Sequence, residues 1–265
     1  MELSADSSGA DLNASDLATA LGPRSVRCYP ALLSTEAVAM AWARDGAPAG
    51  SVVVANYQAS PRGRGGLPWS VQAGRGLGFT LLLRPDLAPE REGWPYVAAL
   101  LALHDVVGTN ERGLAWPDGV HAASGEVLAR LGVYVELGPG RTDWVTATVL
   151  VESALPPRAG LLAQLVEAVE TRVEQSAEQV LADYLPRCTT LGQQLRARLI
   201  PMGPGGPEVV GMAVDVLPDG ALVLSTARGT RVAVPPQNLG LLDEPPGPIE
   251  PPQRLFGRVI DEEEM

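Results

Sequence analysis

The chemistry in this sequence is densest between Ala59 and Trp69. There ASPRGRGGLPW puts Arg62, Gly63, Arg64, Gly65 and Gly66 in five consecutive positions and closes on an indole. Each guanidinium offers a rigid fork of donors that suits carboxylate or phosphate, and glycine lets the backbone come close to a ligand. An anionic small molecule is therefore the expected ligand, a solvated arginine-glycine loop being the plain alternative. All 20 basic residues are arginine, so any mechanism here works without an ε-amine. Cys28 and Cys188 lack metal-ligand spacing and read as small apolar fillers. His104 lies inside an apolar helical run and reads as packed or surface.

The elements that position this loop follow from pattern. Thr35 can start a helix with Glu36 in its first turn, running through EAVAMAWAR to the stop at Asp45-Gly46. GSVVVANYQ is β-branched and short, so the arginine-glycine loop leaves the end of a buried strand. GLGFTLLLRP is the next strand, and WPYVAALLALHDVVG is a helix with Pro95 near its start and Gly108 at its stop. LGVYVELG and TDWVTATVLVE alternate as two strands joined by GPGR, which implies a mixed or antiparallel sheet. One long amphipathic helix is expected from Leu162 to Tyr184, packed on that sheet. From Leu191 short strands split by turns suggest a small β-barrel. The division predicted is a disordered arm over 1–22, an α+β domain over 23–188, a small β-barrel over 189–243 and a Pro-rich acidic tail over 244–265. The apolar island of RLFGRVI in that tail is a docking option.

Composition sets the class. With 265 residues, 46% hydrophobic and 19% charged, the chain can bury a proper core, and a net charge of −11 argues against nucleic acid or an anionic membrane as partner. No apolar run reaches the ~20 residues of a membrane span, and the first residues lack the basic and apolar regions of a signal peptide, so the cytoplasm is the expected location.

On these residues the chain resembles the biotin protein ligases of the biotin/lipoate ligase family. STEAVAMAWARDGAPAGSVVVANYQASPRGRGGLPWS is similar to their Ser-Thr-Asn helix start, strand ending near glutamine and Gly-Arg-Gly-Arg-Arg-Gly loop before tryptophan. GLAWPDGV is similar to their Lys-Trp-Pro-Asn-Asp motif, and YLPRCTTLGQQLRARL to their entry into a C-terminal SH3-like domain. The likeness runs over about 26–242 and leaves out the helix-turn-helix of the repressor-type ligases. It implies a two-step acyl transfer, in which biotin and ATP with Mg²⁺ form biotinyl adenylate and a lysine of a biotin carboxyl carrier protein receives the acyl group. By the same resemblance Ser34 and Thr35 border the ligand and Gln58 bonds the ureido ring. Arg62, Gly63 and Arg64 fold over the adenylate phosphate, and Trp69, Trp116 and Asp118 complete the pocket.

The chain departs from the family pattern at several of these places. Ala115 stands at the motif lysine, Asp118-Gly119 at Asn-Asp, Ala129 beside Arg130 at a second lysine, Glu36 at the asparagine after Ser-Thr, Pro61 and Gly65 in the loop, and Leu150 near an asparagine. Each change removes a cation or amide donor, or adds an acid. Three readings stay open: a divergent ligase in which Arg62, Arg64 and Arg130 neutralise the anions, with biotin or another small carboxylate as substrate; a pseudoenzyme that binds ligand as a sensor or protein partner; and a scaffold. Pairing of two copies as a homodimer is left open by the sequence.

Overall fold

The computed structural model describes residues 11–66, 68–69, 76–108, 112–154 and 157–245. In chain order the first unit holds α1 (Ala14–Leu21), β1 (Val26–Tyr29), α2 (Thr35–Arg44), β2 (Val52–Ala55), β3 (Leu77–Leu83), α3 (Trp94–Val107), β4 (Arg112–Ala115), β5 (Gly119–Ala122), β6 (Val127–Gly138), β7 (Arg141–Val151), α4 (Arg158–Glu174) and α5 (Ala177–Tyr184). Its seven strands form one mixed sheet in the order β1-β2-β3-β7-β6-β5-β4, parallel at β1/β2 and antiparallel elsewhere. The second unit is a five-stranded antiparallel sheet of β8 (Gln194–Leu199), β9 (Glu208–Val216), β10 (Leu222–Ser225), β11 (Arg231–Val234) and β12 (Leu239–Asp243), in the order β11-β10-β9-β8-β12. The architecture is α+β, as expected. Among the described residues no helix is long and apolar enough to cross a membrane.

The two faces of the large sheet differ because successive side chains point to opposite sides. Phe79, Leu81, Leu131, Val133, Val145, Ala147, Val149 and Val151 pack in one cluster with the helices α3 and α4. Burying that many apolar side chains, each Val, Leu or Phe among them worth roughly 1.5–3 kcal/mol, makes this face the main source of stability. On the other face α2 covers one end, where Ala43, Ala47, Leu82 and Trp144 form a second cluster with Tyr134 against it. The rest of that face carries Gly78, Thr80, Thr148, Leu150, Arg130, Gly132 and Gly119, set in adjoining positions by the strand register. A sheet face with so little side-chain bulk leaves room for something else.

Two expectations are corrected. The arm over 1–22 was expected to be disordered, yet its described part folds: Asn13 caps α1 by accepting from Ser15 N and Asp16 N, and Leu12, Leu17 and Leu21 are buried. The polar composition concealed Leu17 and Leu21, one turn apart on α1, and Leu12 just before the cap. Beneath them the fully buried Arg158 holds Asp11 through a 2.7 Å ion pair and also donates to Gly76 O and Asn56 Oδ1. The single long helix expected up to Tyr184 is broken into α4 and α5, because Ser176 turns its hydroxyl to cap Gln179 N and starts a new helix. Arg172 then spans the break, bonding Asp105 at 2.8 Å and Asp183 at 2.7 Å. Cys28 and Cys188 are both free. RLFGRVI, with most of the tail over 244–265, lies outside the described residues.

Candidate functional site

The polar floor of the site begins at the N-terminus of α2. Gln58 is buried, and its Oε1 accepts from Thr35 N at 2.8 Å and from Thr35 Oγ1 at 3.1 Å. Thr80 Oγ1 donates to Thr35 Oγ1 at 2.9 Å and lies 3.0 Å from Thr148 Oγ1. This chain of hydroxyls fixes the amide of Gln58 so that its Nε2 lies over Gly78, where any Cβ would collide with it. Beside it the Ser34 hydroxyl is buried with no hydrogen-bond partner among the described residues. A buried polar group of that kind costs about 1–3 kcal/mol unless something bonds it.

The arginine-glycine loop closes over the same face. Gly132 on β6 has no side chain, and a Cβ there would lie 3.0 Å from the Gly63 Cα. Gly63 in turn carries the Trp69 indole directly against it, leaving no space for a methyl group. The loop is pinned by Trp69 N donating to Pro61 O at 3.0 Å. Two glycines thus set the height of the loop above the sheet.

The two loop arginines have different surroundings. Arg62 is exposed and donates to Gly66 O at 3.0 Å, within the loop itself. Arg64 is buried: its Nε meets Asp118 Oδ2 at 2.9 Å, and its Nη atoms reach Leu239 O and Gly240 O in β12. As placed, Arg64 braces the loop against both the β4-β5 turn and the second sheet, and Asp118 is its partner. Trp116 is also structural in its bonds, with Nε1 donating to Gly220 O at 3.0 Å and N donating to Thr190 Oγ1 at 2.8 Å. These contacts join the two units at the site. Sequence had suggested Arg64, Trp116 and Asp118 as ligand contacts, and partners 54 and 175 residues away could not be read from spacing.

Electrostatics separates the remaining groups. Burial pushes the Glu36 carboxyl up to about 7, with the Arg62 guanidinium opposing part of that rise. Arg130, opposite Gly119 in β6, is held by Glu152 at 3.0 Å. His121, on the same strand and face as Gly119, is held below the ordinary imidazole value by burial first and by Arg130 second, Asp118 pulling the other way. His121, Thr80, Thr148, Gly78 and Gly132 were missed in the sequence. The readable signal for His121 was a glycine two positions earlier on a strand, which frees one face for the ring.

No protein-family model matches the chain. A curated relative, the biotin--[acetyl-CoA-carboxylase] ligase of Mycobacterium tuberculosis, is 32% identical over 224 residues, which is 75% of this chain and 82% of that one. Among solved structures, the biotin protein ligase from Aquifex aeolicus in complex with biotin and ATP superposes with a TM-score of 0.62 at 18% identity, over 83% of this chain and 99% of that one. The biotin acetyl coenzyme A carboxylase synthetase from Helicobacter pylori with bound biotinylated ATP gives a TM-score of 0.54 at 18% identity, over 79% of this chain and 99% of that one.

Proposed function

The chain belongs to the biotin protein ligase family, and from that premise we propose that it activates biotin with ATP and passes the acyl group to a lysine of a biotin carboxyl carrier protein. The observation that carries this reading is the buried Gln58-Thr35 pair set against Gly78, an amide held rigidly over a position of the sheet that carries no side chain. Such an amide recognises a polar, amide-like ring lying flat on the sheet, and the fused ureido ring of biotin has that shape. In this reading Ser34 Oγ gains the partner it lacks, and Gly63 and Trp69 form the lid.

The chemistry then asks for little beyond positioning and charge. A carboxylate oxygen attacks the α-phosphorus of ATP, a C–O–P link forms and pyrophosphate leaves; the two reactants repel, so cations and alignment lower the barrier. Arg62 at the rim and Arg130 on β6 are the cations we assign to this task, while Arg64 positions the loop. Glu36, neutral over much of the range below about 7, does not repel the acid when protonated. Among the described residues no group of three or more His, Cys, Asp or Glu converges to hold a metal. Mg²⁺ in this reading arrives with the nucleotide phosphates. We read the five-stranded C-terminal sheet as the family's SH3-like barrel, whose β12 carbonyls hold Arg64 and with it the loop.

A sensor that binds biotin without chemistry is favoured by one observation: Arg64 and Arg130 each already face a carboxylate, in Asp118 and Glu152. One experiment separates the two. Incubation of the chain with biotin, ATP, Mg²⁺ and an isolated carrier domain, followed by intact-mass measurement, yields a biotinyl adduct on the carrier if the ligase reading holds. Binding of biotin by calorimetry with no adduct supports the sensor, and neither signal rejects both.

A further inference from the structure

His121 occupies a place that the proposed first step does not use. The register lines up Gly78, Leu150, Arg130, Gly119 and Ala115 across β3, β7, β6, β5 and β4. With strands about 4.8 Å apart, the distance from Gly78 to Gly119 is roughly 14 Å. Gln58 stands over the first position of that row. At the other end the His121 ring folds back along β5, so that a Cβ on Gly119 would lie 2.6 Å from His121 Nε2 and 3.6 Å from the Ala115 Cβ. The imidazole is half-buried and makes no hydrogen bond to another described residue. β4 is the last strand of the sheet, but residues 188–190 line its outer edge, with Thr189 N donating to Leu114 O at 2.9 Å, so an incoming chain meets the row from the sheet face and not along that edge.

We propose that His121 Nε2 is the general base of acyl transfer, taking the proton from the acceptor lysine as it attacks. The inference rests on the ligase reading and deepens it. A ligand whose ring is held at Gln58 and whose chain runs across the strands brings its carboxyl carbon toward β6 and β5. The acceptor arrives as an ammonium, which has no lone pair to attack with. His121 accepts one proton, the amine nitrogen attacks the acyl carbon, the C–N bond forms, the C–O bond to phosphate breaks, AMP leaves with that electron pair, and the second N–H proton passes to solvent. The groups facing the ring are Arg130 on β6, with Glu152 just past the end of β7 behind it, and Asp118 in the β4-β5 turn, with Arg64 of the loop behind it. Burial and Arg130 favour the neutral ring, so the base is in its working form at pH 7.

The test supplies preformed biotinyl adenylate to the wild type and to His121→Gln and His121→Ala, and follows single-turnover transfer to the carrier domain over pH 5 to 9. Transfer is expected to fall about 100-fold in both variants, with loss of the wild-type acid limb below the ordinary imidazole value. Cleavage of the bound adenylate by hydroxylamine, an amine already neutral at pH 7, is expected to differ by less than about threefold. Equal losses with lysine and with hydroxylamine, or an unchanged acid limb, would overturn the assignment. If the wild type transfers from supplied adenylate but makes none from biotin and ATP, the activation step fails while the role of His121 stands.

Discussion

The Arg64 guanidinium meets the Asp118 carboxylate at 2.9 Å and extends past it to the Leu239 and Gly240 carbonyls, so one side chain joins the ligand loop, the β4-β5 turn and the second sheet. Its neighbour two residues earlier, Arg62, is exposed and bonded only within the loop. Replacing each by alanine is expected to give opposite signatures. Arg64→Ala removes a buried cation and strands two carbonyls, with a loss of about 2–4 kcal/mol in denaturant unfolding. Arg62→Ala is expected to stay within about 0.5 kcal/mol of wild type while weakening nucleotide-dependent activity. Equal stabilities would remove the bracing role from Arg64.

The contact between Gly63 and Trp69 sets the height of the loop. Gly63→Ala places a methyl group where the indole now lies, so the loop must lift. Biotin affinity is expected to drop about tenfold or more, with a red shift in tryptophan emission and little change in melting temperature. An unshifted spectrum would mean that the indole is not seated there.

Beneath the N-terminal helix, Arg158 is fully buried and its Asp11 partner nearly so. Arg158→Ala leaves that carboxylate without its cation and is expected to cost roughly 3–5 kcal/mol. Trimming the first 21 residues should cost at least a similar amount, because it removes the carboxylate partner of the same arginine together with the buried Leu12, Leu17 and Leu21. A deletion that melts like the full chain would return the segment to the status of a loose arm.

Glu36 carries a pH signature. Its folded value is about 7 against 4.5 for an ordinary glutamate carboxyl, so the folded state holds the proton more tightly. That contribution to stability is complete below the unfolded value and is lost as pH rises from about 4.5 to about 7. Melting curves across this window should flatten in Glu36→Gln, and an identical slope would show that the carboxyl ionises normally.

How much of this was legible in sequence depended on the element. The long alternation of β6 and β7 and the uninterrupted apolar run of α3 were readable, because period and length specify them without help from the rest of the chain. The β4-β5 hairpin was not, since RGLA and GVHA are too short and too rich in glycine to show alternation. α1 was hidden by its polar residues, and the break at Ser176 by a helical spacing that continues across it. In the site, Gln58 and Thr35 came from a motif, whereas Thr80, Thr148 and His121 depend on strand register. The partners of Arg64 lie on distant segments that only the fold brings together.

The central claim, that the row running from Gln58 toward His121 holds a carboxylic acid for adenylation, is tested most directly by exchange of labelled pyrophosphate into ATP. The account predicts exchange that requires biotin and Mg²⁺ and that falls at least about 100-fold in Gln58→Ala. Absence of biotin-dependent exchange in the wild type, or exchange indifferent to Gln58, would contradict it.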